Sequence, residues 1–554
     1  MLDRVAARSF EREFPSARPQ ARGSLAPEMT GHYIVKLAPG MGLDEAKTEL
    51  EKQADVDHVE KVGIHRFDID PNDTYYQFGT ATYAHDQWHY YYPYGMSANV
   101  AWGTERGSSS VAVGIIDSGM RYYHNDLGGT DPPGPADNVT TGNVWVSPFD
   151  PPGGGDNEGN GFTDDVVGWD FVSAALSGAV CRDPDCTTTD NDPRDGDGHG
   201  THVAGTVGAI TNNARGVAGV AGGWGEGPAT AGVRLIPARI GYHACVGTDA
   251  ACVNPTPSMI GGVVSMTWAA QAFNYIADLK ARGVDVAAVN CSWGSSNSGG
   301  ISTATANLQA QDVLICVSAG NSNLTVSSYL ATVAGVLCVG STDSTGIGSS
   351  FSSFGTAVDL AAPGNGVLST YSPNQDDGVP DGDYVAILSG TSMSTPHVVG
   401  AAAVLESYNP ALTAAQKAAL LTGHTKPFNP ANTKMLGSGI LDLAAALAAA
   451  PAPTGVGPSS SSPGGLQLRA FPNPSRGGSE FAIAARSGQR IALQILDASG
   501  RRVRSMEGVA DGSGVLRLRW DGKDQDGRTA GAGLYFVSAE AGGNHVTHKL
   551  VVLE

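Results

Sequence analysis

Apolar runs of strand length recur through the middle of the chain, each followed by a polar or helical stretch. The clearest are VAVGIID (111–117), VRLIPARI (233–240), VDVAAVNCSWG (284–294), VLICVSAGN (313–321) and VLCVGS (336–341). Between two of them, Met266 to Ala281 reads as a helix. Strands that are apolar throughout, rather than at alternate positions, predict a parallel sheet covered on both faces. Ligands of such sheets bind at the carboxyl ends of the strands.

The flanks follow other patterns. Residues 1–28 show little periodicity and are expected to be a disordered leader. HYIVKL (32–37) predicts a strand, Leu43, Ala46, Leu50 and Ala54 a helix, and Val59 with Val62 a further strand, giving a small α/β unit over 29–74 that ends in the polar stretch DIDPNDTYY. Residues 451–465 (PAPTGVGPSSSSPGG) are a Pro/Gly/Ser linker. Beyond it, over 466–554, Leu516, Leu518 and Trp520 alternate with Arg517 and Arg519, the mark of a half-buried strand in a small β-sandwich. The predicted class is α/β, with a doubly wound, mostly parallel sheet over 75–450.

Composition narrows the choice of partner. The 554 residues carry a formal net charge of −20, which argues against nucleic acid, since phosphate binding needs a basic face. The spare carboxylates suit hard cations such as Ca²⁺. No run of about 18 apolar residues occurs, so no membrane span is expected. The start, MLDRVAARSFEREFPSARPQARGS, is charged throughout and lacks the pattern of a secretory signal. Of seven cysteines, Cys181 with Cys186 and Cys245 with Cys252 are close pairs in loops, read as disulfides of an oxidising compartment. Zinc ligation is the alternative, but neither pair has a second Cys pair beside it to complete a zinc set. Cys291, Cys316 and Cys338 lie in apolar runs and are expected to be buried thiols.

Three segments carry candidate chemistry. Asp117 ends a buried strand in IIDSG; His199 lies in DGDGHGTHVAGTVGAI; Ser392 lies in SGTSMSTPHVVGAAAVL, with Pro396 suited to the first turn of the helix that follows. Singly, each has a plain structural reading: a strand-end cap, a helix-start histidine (for His199 or His202), a helix-start serine. Together they supply what nucleophilic catalysis needs. A serine hydroxyl needs a base, a histidine serves near neutral pH, and a buried carboxylate sets the histidine tautomer and stabilises the imidazolium. The chain order Asp, His, Ser is that of the subtilisin type. Asn321, ending VLICVSAGN, places a side-chain amide where it could bind an oxyanion, the alternative being a turn asparagine.

IIDSGMRYYHNDL, DGHGTHVAGTVGAI, VNCSWG, SAGN and GTSMSTPHVVGAA resemble, in order, the motifs of the subtilisin-like serine peptidases. The resemblance implies a triad of Asp117, His199 and Ser392, with Asn321 and the Ser392 backbone amide as oxyanion donors. It implies Ser292, Trp293 and Gly294 as the strand that pairs with substrate backbone, and Ser318, Ala319 and Gly320 as the opposite wall of the specificity pocket. It also implies that the first unit is an inhibitor-type propeptide, cleaved between about Val62 and Tyr76. The stretch between Asp117 and His199 is much longer than in compact members, and Thr395 stands where many have Ser.

DNEGNGFTDD (156–165) alternates oxygen side chains with a Gly at its sixth position, as at the start of an EF-hand-like calcium loop. Val167 occupies the twelfth position, where that loop has Glu, and Asp165 is expected to substitute. Candidate ligands are Asp156, Glu158, Asn160, Asp164 and Asp165; a solvated acidic turn is the alternative. Asp126 and Asn213 match structural calcium ligands of the resembled family. The ion is expected to stabilise loops, with no cofactor for catalysis. FPNPSRGG, ILDASGRRV, WDGKDQDGRTAGAGLY and the terminal KLVVLE resemble the immunoglobulin-like modules that end bacterial secreted proteins, related to flagellar hook-capping and sorting domains. That implies export targeting or surface attachment. The expectation is a secreted, self-processed endopeptidase acting on proteins. Alternatives are a maturation protease of narrow specificity and an inactive surface-binding scaffold.

Overall fold

The structure is a computed structural model that describes residues 7–12, 33–37, 43–53, 56, 59, 70–76, 86–129, 142–150, 153, 155–225, 230–294, 300–372, 384–453, 467–471, 475, 478–485, 488–497, 501–510, 515–531, 533–542 and 544–552. The chain divides into two units, Met1–Phe67 and Asp68–Glu554.

In the first unit, Ala7–Arg12 pairs antiparallel with Tyr33–Leu37, and the helix Leu43–Glu51 buries Ala46 and Leu50. Part of the stretch expected to be disordered is therefore a strand. Its backbone hydrogen bonds are satisfied by a partner more than twenty residues on, which no local periodicity reveals. Val59 is not in a strand, and Val62 lies outside the described residues. The polar stretch around residue 72 belongs to the second unit. Tyr75 N–H donates to Gly216 O (3.0 Å), and Asn72 exchanges hydrogen bonds with Asn212 and Ala214. The boundary expected after residue 74 thus falls earlier.

A nine-stranded sheet forms the heart of the second unit. Its order is Thr425–Lys426, Ile440–Leu441, Leu360–Pro363, Val336–Thr342, Leu314–Ser318, Val286–Cys291, Ala112–Asp117, Arg234–Arg239, Trp169–Asp170. All neighbours run parallel except the first pair. Alternation along the interior strand Ala112–Asp117 shows why the run is apolar throughout. Val113 and Ile115 pack in one core with Val203, Val207, Val398 and Val399. Ala112 and Ile116 pack in another with Trp268, Phe273 and Ile276. Both faces are covered, and each fully buried Val or Ile contributes about 1.5–3 kcal/mol. The helix Met266–Ala281 forms where expected, capped by the Ser265 hydroxyl, which accepts from Thr267 N–H.

The C-terminal segment forms two antiparallel sheets. One contains Gln467–Phe471, Ser479–Ala484 and Val515–Trp520; the other contains Arg502–Val509, Arg490–Asp497, Gly533–Ala541 and Asn544–Val552. Phe481, Ile491, Leu493, Ile495, Trp520, Val537 and Leu550 fill their common core. Arg490–Asp497 alternates exposed and buried positions, as a sandwich strand should. Cys181–Cys186 and Cys245–Cys252 are disulfide-bonded, and Cys291, Cys316 and Cys338 are buried thiols.

Candidate active site

Asp117 is the last residue of the strand Ala112–Asp117 and is buried. His199 is the first residue of the helix His199–Gly208. Two glycines let this helix start against the strand end. Gly198 has φ +94°, a left-handed backbone that L side chains rarely adopt. A Cβ on Gly200 would lie 2.0 Å from the Gly119 carbonyl oxygen. The approach brings His199 Nδ1 to 2.7 Å from Asp117 Oδ1, which also accepts from Ser118 N–H (2.8 Å). Asp117 Oδ2 is buried without a partner.

Asp195 holds the same turn. Its carboxylate accepts from Ser118 Oγ (2.9 Å), Gly198 N (2.9 Å), Thr201 N (2.8 Å) and Thr201 Oγ1 (2.6 Å). The His199 side chain is 29% exposed. Burial works against its positive charge, but the charge and hydrogen bond of Asp117, with Asp197 and Asp195 behind, lift its pKa to about 9. His202, one turn along, is structural. Its Nε2 meets the carbonyls of Val367 and Ala386 at 3.1 Å each, and burial keeps it neutral, with a pKa of about 3.

Ser392 is the second residue of the helix Thr391–Tyr408. The helix starts earlier than Pro396 suggested, so the proline sits inside it. A proline has no N–H for the carbonyl four residues before it, and that carbonyl belongs to Ser392. The Ser292 hydroxyl takes the vacant role and donates to Ser392 O at 2.8 Å. In return Ser392 Oγ donates to Ser292 O at 3.0 Å. The nucleophile candidate is thereby pinned to the adjacent sheet strand, at the amino end of an 18-residue helix whose dipole favours developing negative charge.

Asn321 is oriented by a residue that sequence reading missed. Its Oδ1 accepts from both Thr391 N (2.8 Å) and Thr391 Oγ1 (2.9 Å), so its amide NH₂ points the other way. A Cβ built on Gly390 would lie 3.2 Å from Asn321 Nδ2 and 3.6 Å from Ser392 N. The two donors therefore border one small space beside Ser392. Thr391 immediately precedes Ser392 in GTSMS, but nothing local pairs it with a residue 70 positions away.

Ser292, Trp293 and Gly294 follow the strand Val286–Cys291, and Ser318, Ala319 and Gly320 end and follow its neighbour Leu314–Ser318, so the two segments lie side by side at the carboxyl edge. Trp293 Nε1 donates to Ile116 O (2.7 Å), locking the first segment to the Asp117 strand. Ala319 N–H donates to Val339 O (3.0 Å).

The acidic loop is arranged differently from the expectation. Asp150, Glu158 and Asp165 bring carboxylate oxygens within 4.8 Å of one another. Asp150 and Asp165 are fully buried, and Asp150 Oδ2, Glu158 Oε2 and Asp165 Oδ1 have no hydrogen-bond partner. Burial first, then neighbouring acids, raise the pKa values of Glu158 and Asp165. Three carboxyl groups, two of them fully buried, each with a buried unpartnered oxygen, suit a hard cation. Asn160 lies against the cluster, donating to Glu158 (2.8 Å) and Asp165 (3.2 Å).

Asp156 and Asp164 do not join the cluster. Asp156 caps its own turn, accepting from Gly159, Asn160 and Gly161 N–H, and Asp164 accepts from Gly155 N–H. The short Asp156 and Asp164 side chains are spent on local backbone, and the third carboxylate of the cluster is Asp150, from outside the motif. Asp126 and Asn213 do meet, Asn213 Nδ2 donating to Asp126 Oδ1 at 2.9 Å.

A parallel sheet with Asp, His and Ser converging on its carboxyl edge, next to paired amide donors, defines the subtilisin-type class of α/β protein. The chain belongs to the subtilase family, whose model matches residues 108–439. Residues 472–544 match the FlgD Ig-like domain. The chain is similar to the "Extracellular basic protease" of Dichelobacter nodosus, 32% identical over 387 residues, covering 68% of this chain and 55% of that protein. It is also similar to the "Extracellular protease" of Xanthomonas campestris pv. campestris, 29% identical over 429 residues, covering 76% and 64%. It thus spans less than two thirds of either relative. A solved structure of a protease from Pseudoalteromonas arctica is 29% identical, with a TM-score of 0.49, covering 69% of this chain and all of that one.

Proposed function

We propose that this protein is a secreted serine endopeptidase that hydrolyses peptide bonds of proteins through Asp117, His199 and Ser392. The observation that carries the reading is the His199–Asp117 bond of 2.7 Å at the sheet edge where Ser392 and the Asn321 amide also lie. Neutral His199 takes the Ser392 proton once the hydroxyl leaves the Ser292 carbonyl, and Oγ attacks the peptide carbonyl carbon. The oxyanion settles between Asn321 Nδ2 and Ser392 N–H. His199 then protonates the leaving amine, and water, deprotonated by the same imidazole, releases the acyl group. Asp117 stabilises the imidazolium throughout.

The first unit serves as an inhibitory propeptide removed by self-cleavage, and the C-terminal sandwich as an attachment or sorting module. The printed names of the two extracellular relatives support export. Asp150, Glu158 and Asp165, with Asn160 beside them, hold a calcium ion that neutralises their charge and stiffens the loop; the ion takes no part in the reaction. The test is Ser392→Ala, expected to lose hydrolysis on the order of 10⁶-fold, along with self-processing and labelling by a fluorophosphonate. Unchanged hydrolysis by the purified variant rejects the reading.

A further inference from the structure

A two-stranded ribbon outside the nine-stranded sheet joins the segment of His199 to the segment of Ser392. Val367–Thr370 and Val385–Leu388 pair antiparallel to form it. Its first strand meets the His199 helix with hydroxyls. Ser369 Oγ donates to His202 O (2.8 Å), and Thr370 Oγ1 donates to Thr201 O (2.8 Å). Ser372, just beyond the strand, donates through Oγ to Asp195 O (3.1 Å), in the turn that enters the helix. This close approach requires Gly205, where an added Cβ would lie 2.0 Å from Thr370 Oγ1. The ring of His202 reaches both strands. Its Nε2 lies 3.1 Å from Val367 O on one and 3.1 Å from Ala386 O on the other. Both neighbours are carbonyl oxygens, so in the neutral ring this nitrogen carries the proton and donates to both. Nδ1 is then the bare nitrogen, and it is buried without a partner.

The root of the ribbon belongs to the nucleophile. The second strand ends at Leu388, four residues before Ser392. Between them, Gly390 N–H donates to Gly364 O (2.8 Å). Ser389 Oγ accepts from Gly366 N–H (2.9 Å) and donates to Asn365 Oδ1 (3.1 Å). The residues leading out of the ribbon are thus tied to those leading in. Ser394, two residues past Ser392, donates through Oγ to Ala362 O (3.0 Å), which anchors the start of the Ser392 helix to the same approach. We propose that His202 is a positioning residue: by clasping both strands, its ring fixes the helix that carries His199 relative to the segment that delivers Ser392. The inference rests on the reading of His199 as general base and Ser392 as nucleophile. His202 acts through the ribbon and enters no bond-making step. Spacing matters here because Ser392 Oγ rests on Ser292 O (3.0 Å) and has to turn towards His199 before its proton can pass. A misplacement of about 1 Å at such a step can cost about 10²-fold in rate.

The experiment compares variants of the full chain well below the Tm of each, reading kcat and KM on a peptide substrate and the rate of labelling by a fluorophosphonate. His202→Leu removes both ring hydrogen bonds, and kcat and the labelling rate are expected to fall together by about 10- to 100-fold with KM little changed. His202→Gln returns a donor of similar reach and is expected to recover most of the loss. Leu421→Ala, buried in the helix Ala414–Gly423, is the control for lost stability; it is expected to lower Tm and leave kcat near the parent value. If His202→Leu does not fold, His202→Asn takes its place, since its shorter amide cannot span to both carbonyls. The inference is overturned if the His202 variants behave as Leu421→Ala does, with Tm lowered and kcat and labelling kept. It is equally overturned if His202→Gln recovers nothing, or if the loss falls on KM. Failure of the nucleophile reading would show separately, as hydrolysis persisting in Ser392→Ala.

Discussion

The sheet edge around Ser392 and the acidic loop around Asp165 both gather polar groups inside the protein, by opposite means. At the sheet edge nearly every donor and acceptor already has a protein partner: Ser392 with Ser292, His199 with Asp117, Asn321 with Thr391. In the loop, three buried carboxylate oxygens converge with none. The first arrangement is preorganised by the chain alone, and chemistry at it needs no further ligand to set the geometry. The second leaves buried carboxylate oxygens unpartnered, which is the arrangement that the proposed cation would complete. A site that must act on a varying substrate is built from satisfied groups.

Several measurements sharpen this contrast. Asn321→Leu removes one oxyanion donor without changing the triad, and kcat is expected to fall by about 10²–10³ with KM little changed; a fall confined to KM would place Asn321 in substrate binding instead. Because the His199 pKa stands at about 9, the rate should climb with pH and be about 100-fold lower at pH 7 than on the plateau above 9, which a stopped-time assay across pH 6–10 checks. The sign for stability is the reverse. A raised histidine pKa contributes stability that is fully present below about 6.5 and is lost as pH rises through about 9. The most active form is therefore the one that has surrendered this contribution.

Chelation should act on the loop and not on the triad. With calcium at about a hundred times its Kd, its removal is expected to cost about 2.7 kcal/mol and to lower Tm. Asp165→Asn should abolish that calcium dependence while leaving early-time kcat near the parent value. An equal chelator effect in the variant would move the ion elsewhere. The smallest effect is expected for Thr391→Val, which removes one of the two hydrogen bonds that orient the Asn321 amide and keeps the backbone one; the cost is roughly tenfold in kcat, the scale of one neutral hydrogen bond.

Much of this was legible in the residues. The five apolar runs are strands of the sheet, within three residues at their ends, and Met266–Ala281 is the helix its pattern described. Those elements rest on local rules: continuous apolarity, a serine cap, a glycine stop. The Asp, His, Ser and Asn segments were legible because their motifs are short and contiguous, and both disulfides were visible as close pairs. The misses share a cause. Thr391 with Asn321 and Ser292 with Ser392 are separated by 70 and 100 positions. Asp150 lies outside the loop motif it completes, and Ala7–Arg12 pairs with a distant strand.

What the residues determined alone was therefore the set of reactive groups and the elements that carry them, since propensity and periodicity act over a few neighbours. Only the tertiary structure decided which carbonyl holds the serine at rest, which hydroxyl aims the asparagine, and which carboxylates meet in the acidic loop. Those outcomes depend on where strand ends and helix starts meet across the sheet edge. Local pattern does not carry that register.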